Sequence, residues 1–213
     1  MDAHWVYAGI AMVLSYLCGS IPTSVWWGRA FYGVDVRQHG SRNAGATNTF
    51  RVLGVKAGVP VLLIDMLKGF APVRMLAWWS GLETDSADFT WLRVALALAS
   101  VVGHLYPVFA GFRGGKGVAT SFGGILALHR GVALICAGVF LLVYLPTRYV
   151  SLGSLCAALA FPISVFIMVQ DRHDVLRGFS VVICLMVFWT HRANIGRLLK
   201  GEESRMTFSS GTH

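Results

Sequence analysis

The sequence predicts an all-α protein that crosses a membrane several times. Of its 213 residues, 55% are hydrophobic and only 13% are charged, whereas a soluble domain carries about 25% charged residues. Two segments, Trp5–Gly28 and Val94–Phe112, contain no Asp, Glu, Lys or Arg over 24 and 19 residues. A spanning helix needs about 20 apolar residues, so we expect a polytopic integral membrane protein. Residues 1–213 are expected to form a single domain whose residues 201–213 are a polar tail.

The distribution of charge predicts the orientation of these helices. Asp2 precedes the first apolar segment without a basic region, which favours a retained helix over a cleaved signal peptide. Residues 83–88 contain three acidic residues and no Lys or Arg, whereas the segment from Arg192 onward is basic. Cytoplasmic loops carry the excess of Lys and Arg, so the N-terminus is predicted outside and the C-terminus in the cytoplasm. The arginines of the predicted outer turn Gln170–Arg177 run against this assignment.

Helix breaks and short helices are predicted at particular points. Pro22 predicts a kink near the end of the first span. Gly69 and Pro72 predict a break in the second apolar segment, Ala57–Leu82. The segment Val118–Leu128 covers only about 16 Å, roughly half of the hydrocarbon core. Such a half-spanning helix is tolerated where it lines a cavity or is covered by protein.

The second apolar segment also carries ionisable side chains at membrane depth. Asp65 and Lys68 stand three residues apart, so on a helix they share a face and can pair. Charged groups in this position are costly and normally face a bundle interior or a watery cavity. A structural ion pair and a role in a binding site are both open interpretations.

The stretch Gly40–Arg51 is small, polar and glycine-bearing, and it lies between two long apolar segments. Glycine permits positive φ, which lets backbone N–H groups converge on an anion. The stretch is therefore predicted to bind phosphate at the membrane face. The alternative is an ordinary loop whose composition reflects turn chemistry. The candidate residues are Ser41, Asn43, Gly45, Thr47, Asn48 and Arg51.

A second glycine-rich stretch, Arg113–Gly117, also suits phosphate because it combines open backbone with a lysine. It fails the pattern of a nucleotide-binding P-loop, since Gly117 stands where Ser or Thr would hold magnesium and the spacing from Gly111 is short. An ATPase is therefore excluded and an anion clamp is kept. Its candidates are Gly114, Gly115 and Lys116, with Lys68 as a further basic group.

A third group of candidates lies near the C-terminus. His191 and Asn194 stand three residues apart and share a helical face, although a lone interfacial histidine is more often solvated or a helix cap. Ser151 and Ser154 follow the preceding basic turn, and serines in such helices commonly serve packing. By the predicted topology, all three groups of candidates end on the cytoplasmic face.

Composition excludes several classes of function. The basic residues cluster in short connections, which favours anionic lipid and phosphate-bearing substrates and excludes nucleic acid. Four scattered cysteines without CxxC spacing support neither disulfides nor zinc. Carboxylates are too few on the cytoplasmic side for a metal site, so neither a metal nor a cofactor is expected. A small transporter for a phosphorylated solute is the competing class, favoured by the short segments but not by any inverted repeat.

Taken in order, the polar patches resemble the bacterial acyl-phosphate:glycerol-3-phosphate acyltransferases. One departure is Arg42, where that family usually has glycine. The patches that carry the resemblance are Gly19–Pro22, Gly40–Asn48, Leu67–Gly69, Gly103–Phe109, Gly114–Thr120, Ser151–Ser154 and His191–Ile195.

The resemblance implies an enzyme of the bacterial inner membrane with about seven transmembrane or half-spanning helices and an active site that faces the cytoplasm. It would transfer a fatty acyl group from acyl phosphate to the 1-hydroxyl of glycerol 3-phosphate, giving lysophosphatidic acid and phosphate. A soluble transacylase would supply the acyl phosphate. His104 joins the predicted phosphate-binding residues, and either His191 or a phosphate oxygen of the donor would accept the hydroxyl proton. The predicted catalytic residues are His191, Asn194, Ser154 and Lys116.

Overall fold

A computed structural model describes residues 3–84, 86–169 and 174–206. Asp2, Asp85, the first four residues of the predicted outer turn and the tail beyond residue 206 lie outside these ranges. Within them the chain is helical and contains no strand, so the predicted all-α class is confirmed. The α-helices are α1 (Ala3–Gly19), α2 (Thr23–Tyr32), α3 (Ala46–Leu53), α4 (Val55–Trp78), α5 (Ala87–Leu105), α6 (Val118–Leu128), α7 (Arg130–Thr147), α8 (Val150–Met168), α9 (Val175–Thr190) and α10 (Arg192–Leu199).

Several of these helices suit a bilayer. Among the described residues, three helical segments are long and apolar enough to cross it, namely Ala87–Ala110, α7 and α8. Two bent pairs, α1 with α2 and α9 with α10, raise that number to five if each pair is one span. The 11-residue helix α6 has the predicted bounds and is too short to span. The count of seven and the orientation of the termini stay predictions.

The chain divides into two compact units, which hold α1–α6 and α7–α10 respectively. In the first unit, α4 packs against α1, α3, α5 and α6, and α1 also packs along α5. In the second unit, α8 packs against α7 and α9, and α10 contacts both α8 and α9. The predicted single domain over the whole chain stays a prediction.

The kink predicted at Pro22 is confirmed, because α1 and α2 are bent by 41° at the break that contains it. The predicted break at Gly69 and Pro72 is wrong, because α4 continues through both residues. Proline has no N–H to donate to the carbonyl four residues earlier, which here belongs to Lys68. That oxygen instead accepts a hydrogen bond from Ser100 Oγ on α5 at 2.7 Å, so a neighbouring helix replaces the missing bond.

Glycines in α4 and α6 serve close packing. A Cβ on Gly69 would collide with the carbonyl oxygen of Thr120, and one on Gly123 would collide with that of Met66. Small residues let helix backbones approach closely in membrane proteins, where van der Waals packing drives helix association. The contact between α4 and α6 therefore depends on the missing side chains at these two positions.

Candidate functional site

The stretch Gly40–Arg51 consists of a loop and the first turns of helix α3, which begins at Ala46. The expected positive φ holds for Gly40 (+56°) but not for Gly45, whose backbone is extended. Arg42 adopts a φ of +57°, a conformation that glycine takes at lower cost than other residues. The position where the resembling family usually has glycine is therefore one whose backbone favours glycine.

Asn48 holds this loop against α3. Its side chain is buried, and its Oδ1 accepts a hydrogen bond from the Ser41 N–H at 2.8 Å. Its Nδ2 donates to the carbonyl oxygens of Val36 at 2.7 Å and His39 at 3.1 Å. The geometry makes Asn48 a positioning residue for the loop, and its predicted contact with phosphate stays a prediction.

The first turn of α3 is suited to an anion. Gly45 precedes it and has no side chain with which to cap the helix, and an uncapped helix N-terminus presents backbone N–H groups and the positive end of the helix dipole. Thr47 lies in this turn and is half-buried. A Cβ on Gly45 would lie 3.1 Å from Asn43 Oδ1, so the Asn43 side chain lies beside the start of the helix. Arg51, one turn further along, is also half-buried.

The second glycine stretch folds back onto the end of α5 and meets the first. The N–H groups of Gly114 and Gly115 donate to the carbonyl oxygens of Leu105 and His104, both at 3.2 Å. A Cβ on Gly115 would collide with the His104 ring and would lie 2.7 Å from the carbonyl oxygen of Ala44. The structure therefore brings the two predicted phosphate stretches together at Gly115.

A buried polar network lies behind this contact. The predicted pair of Asp65 and Lys68 is confirmed at 2.8 Å, with both side chains almost fully buried. The Asp65 carboxylate is also 3.8 Å from Nδ1 of His104, which contacts Thr120 Oγ1 at 3.0 Å. Lys68 Nζ donates in addition to the Ile21 carbonyl oxygen at 2.9 Å. The network fixes the His104 ring under Gly115, and the predicted contacts of Lys68 and His104 with phosphate stay predictions.

In the second unit, His191 lies at the junction of α9 and α10, where the helices are bent by 62°. The side chain is buried, and its Nδ1 is 2.8 Å from the carbonyl oxygen of Val187. A carbonyl oxygen can only accept, so Nδ1 carries the proton in this contact. The neutral ring then has its lone pair on Nε2, the form in which imidazole acts as a base.

Glu203 is the residue that the sequence analysis missed. Its buried carboxylate accepts hydrogen bonds from Ser151 Oγ at 2.7 Å, Asn194 Nδ2 at 2.6 Å and Arg197 Nε at 2.7 Å. The sequence shows two adjacent carboxylates, Glu202 and Glu203, in a basic segment. Only the fold shows that Glu203 is buried and Glu202 is exposed. The carboxylate joins the start of α8 to α10 and orients the Asn194 amide.

The environment of Glu203 lowers the pKa of its carboxyl. Burial by itself would raise the pKa of the carboxyl, but the hydrogen bonds from Ser151, Asn194 and Arg197 outweigh it and hold the pKa below its ordinary value. Ser154, one turn after Ser151, is buried and donates to the Val150 carbonyl oxygen at 2.8 Å. The predicted catalytic role of Ser154 stays a prediction.

Lys116 directly follows the contact at Gly115 and is half-buried. Gly115 lies against Ala44, so this half-buried lysine is next to the loop that leads into the uncapped first turn of α3, where it can offset the charge of a phosphate group. Among the residues that the structure describes, no group of three or more His, Cys, Asp and Glu side chains could hold a metal ion. The uncapped first turn of α3 and the half-buried Lys116 suit an anion bound by amides and cations of the protein.

Comparison with known proteins gives consistent matches along almost the whole chain. A family model described as glycerol-3-phosphate acyltransferase matches residues 9–201. A glycerol-3-phosphate acyltransferase of Fusobacterium nucleatum is 44% identical over 197 residues, which cover 92% of this chain and 97% of the relative. One from Chlorobaculum parvum is 41% identical, over 92% of this chain and 95% of the relative.

Two solved structures are also similar, both of PlsY, an integral membrane glycerol 3-phosphate acyltransferase. The glycerol 3-phosphate form has a TM-score of 0.83 and the lysophosphatidic acid form one of 0.82. Each is 40% identical in sequence, over 94% of this chain and 96% of the other.

We expect Glu203→Gln to lower the free energy of unfolding at pH 7 by about 1–3 kcal/mol, because one carboxylate oxygen that accepts a hydrogen bond would be replaced by an amide nitrogen that can only donate. A carboxyl with a lowered pKa in the folded state stabilises the protein above its unfolded pKa, and this contribution is lost as the pH falls through the folded pKa. The difference between wild type and variant should therefore be full at pH 7 and shrink as the pH falls below 4.5, the ordinary pKa of this carboxyl.

Thermal unfolding of both proteins in detergent across this pH range measures the effect. The neighbouring Glu202→Gln is the matched control, because that side chain is exposed. A Glu203→Gln variant as stable as the control at pH 7 would show that the carboxylate does not hold α8 and α10 together.

Proposed function

We propose, because this chain belongs to the glycerol-3-phosphate acyltransferase family, that it transfers a fatty acyl group from acyl phosphate to the 1-hydroxyl of sn-glycerol 3-phosphate. The chain is a membrane acyltransferase, and its helices suit a bilayer. The observation that carries the proposal is the contact of two glycine stretches at Gly115, which brings Lys116 beside the loop that leads into the uncapped first turn of α3. The forms in which PlsY was solved support glycerol 3-phosphate as acceptor and lysophosphatidic acid as product.

The proposed reaction is a direct transfer. The 1-hydroxyl oxygen attacks the acyl carbon, a new ester bond forms, and the bond between that carbon and the phosphate oxygen breaks. The phosphate leaves with the bonding electron pair, and the hydroxyl proton moves to a base. Acyl phosphate is already activated, so the protein has to supply position and charge stabilisation and needs no covalent intermediate. The products are lysophosphatidic acid and inorganic phosphate.

In the first unit, the proposed task is to bind phosphate. The open first turn of α3 would contribute backbone N–H groups and the Thr47 hydroxyl, and Lys116 and Arg51 would contribute positive charge. Charge accumulates on the phosphate as the acyl–oxygen bond breaks, so these groups stabilise the leaving group more strongly in the transition state. Ser41 and Asn43 precede this turn in the sequence and would add neutral hydrogen bonds.

In the second unit, the proposed task is to accept the proton. The tautomer of His191 supports this role, since the Val187 carbonyl oxygen keeps the proton on Nδ1 and the lone pair on Nε2. Asn194 is held by Glu203 and would help to position the attacking hydroxyl, together with Ser154. If His191 is not the base, a phosphate oxygen of the donor takes the proton.

We place the enzyme in the bacterial inner membrane with its active site facing the cytoplasm. The basic residues between α2 and α4 and after α9 support this orientation through the excess of positive charge in cytoplasmic loops. Both polar substrates would then come from the cytoplasm, and the acyl phosphate would come from a soluble transacylase. Membrane lipid is the other partner, since the product carries an acyl chain.

The donor is tested by lysophosphatidic acid formation by purified protein in lipid vesicles, given glycerol 3-phosphate with palmitoyl phosphate or with palmitoyl-CoA, and by the leaving group released, which is phosphate from the first donor and the CoA thiol from the second. We expect turnover with palmitoyl phosphate alone, because the proposed site offers a phosphate leaving group amides and cations. Lysophosphatidic acid should form in equal amount to phosphate. Turnover with palmitoyl-CoA but not with palmitoyl phosphate would refute acyl phosphate as the donor. A folded protein that turns over neither donor would favour the alternative of a transporter for a phosphorylated solute.

The base is tested with His191→Ala and His191→Gln. Loss of a general base costs about 10²–10⁴-fold, and we expect kcat to fall to a similar extent in both variants, since glutamine can hydrogen-bond but cannot take up the proton. A single-turnover measurement isolates the chemical step. A loss of less than about tenfold would assign the proton to the phosphate of the donor instead.

A further inference from the structure

A polar cavity of about 580 Å³ lies in the first unit, beside the second glycine stretch. The residues of its wall that bear on its chemistry are Asp35, Arg37, Gln38, Arg42, Arg113 and Gly114. Three of these six are arginines and one is a carboxylate. Gly114 also belongs to the stretch that the proposed function assigns to phosphate, so the cavity adjoins that stretch.

The single carboxylate of the cavity is already neutralised. Arg37 binds Asp35 through two nitrogens, with Nε at 3.1 Å from Oδ1 and Nη2 at 2.8 Å from Oδ2. Arg29 adds a second guanidinium at 2.8 Å. These contacts, above all the hydrogen bond from Arg37, hold the pKa of Asp35 well below its ordinary value. Asp35 therefore stays ionised and has more than one positive partner.

Arg37 also fixes the shape of the cavity. Its Nη1 donates to the carbonyl oxygen of Ala110 at 3.2 Å, which ties the loop after α2 to the loop after α5. The side chains of Arg42 and Arg113 are exposed. Within the described residues, neither guanidinium has an ion pair with a carboxylate. The cavity thus has a rigid side, formed by Arg37 and Asp35, and a side with two uncompensated positive charges.

The backbone of Arg42 supports a functional reason for its side chain. At a φ of +57°, glycine would be favoured over arginine. An arginine in this conformation gives up some stability and gains a planar cation with five donors, the group that best matches a phosphate. Within the described residues, this guanidinium makes no hydrogen bond that would offset the loss. Intramolecular hydrogen bonds therefore do not explain why arginine occupies this position.

We propose that Arg42 and Arg113 form an outer anion site that captures the phosphate of glycerol 3-phosphate before it reaches the glycine stretches. The identity of the substrate in this inference rests on the proposed function, whereas the binding of an anion is inferred from the cavity alone. Guanidinium groups bind phosphate monoesters in a bidentate manner, and two uncompensated charges in one cavity raise the local concentration of an anionic substrate. The site therefore lowers the KM for glycerol 3-phosphate without taking part in the chemical step.

The test compares Arg42→Gly with Arg148→Gly in lipid vesicles. Arg148 is the matched control, because it is also an exposed arginine with positive φ, at 60°, and lies outside the cavity. Both substitutions remove one charge and relieve the same backbone conformation. We expect Arg42→Gly to raise the KM for glycerol 3-phosphate about fivefold and to leave kcat within about twofold. Arg148→Gly should leave both constants unchanged, and Arg113→Gln should behave like Arg42→Gly.

Salt provides a second readout that a structural role would not change. Capture by charge weakens with ionic strength, so kcat/KM of the wild type should fall more steeply between 50 and 300 mM NaCl than that of Arg42→Gly. Equal KM values and equal salt dependence in Arg42→Gly and Arg148→Gly would overturn the proposal.

The source of the anion is distinguished by calorimetric binding without any acyl donor. Weaker binding of glycerol 3-phosphate by Arg42→Gly than by wild type supports the substrate site. Weaker binding of inorganic phosphate alone, with glycerol 3-phosphate unaffected, would overturn it in favour of a product site. This binding measurement does not depend on acyl transfer, so it tests the anion site even if the proposed reaction is refuted.

Discussion

The close approach of Gly115 to the Ala44 carbonyl oxygen and the His104 ring is the constraint on which the candidate site depends. It exists because residue 115 has no side chain, and it joins two polar stretches that are about seventy residues apart in the sequence. The approach is held from behind, since Thr120 contacts the His104 ring and Asp65 lies near it. The contact thereby brings Lys116 beside the loop that leads into the uncapped first turn of α3, although the two lie far apart in the sequence.

Helix α4 carries the charges behind this contact at a cost that its partners offset. A buried carboxylate or ammonium alone is strongly destabilising, whereas a paired and hydrogen-bonded one is tolerated. Asp65 pairs with Lys68, and Lys68 also donates to the backbone at the break between α1 and α2. The same helix accepts Pro72 because Ser100 satisfies the Lys68 carbonyl oxygen. The position of the glycine stretches thus depends on polar groups within the bundle.

Local patterns predicted the features that depend on local physics. The bounds of α6, the kink at Pro22 and the pair Asp65–Lys68 follow from composition and from helical spacing. Features that depend on partners distant in sequence were missed or mistaken. Helix α4 continues through Pro72 because Ser100 binds its free carbonyl oxygen. Glu203 is buried against Ser151, which lies more than fifty residues earlier in the sequence. Single-sequence periodicity does not contain such contacts.

The most direct test of the central claim is a comparison of Gly115→Ala with Gly9→Ala in purified, folded protein. One methyl group at residue 115 would collide with the His104 ring, whereas nothing lies within 4 Å of a Cβ at residue 9. Displacing bound groups by about 1 Å costs roughly a hundredfold in rate. We therefore predict that Gly115→Ala lowers kcat/KM for glycerol 3-phosphate about a hundredfold while Gly9→Ala stays at the wild-type value. Equal activity of the two variants would contradict the account.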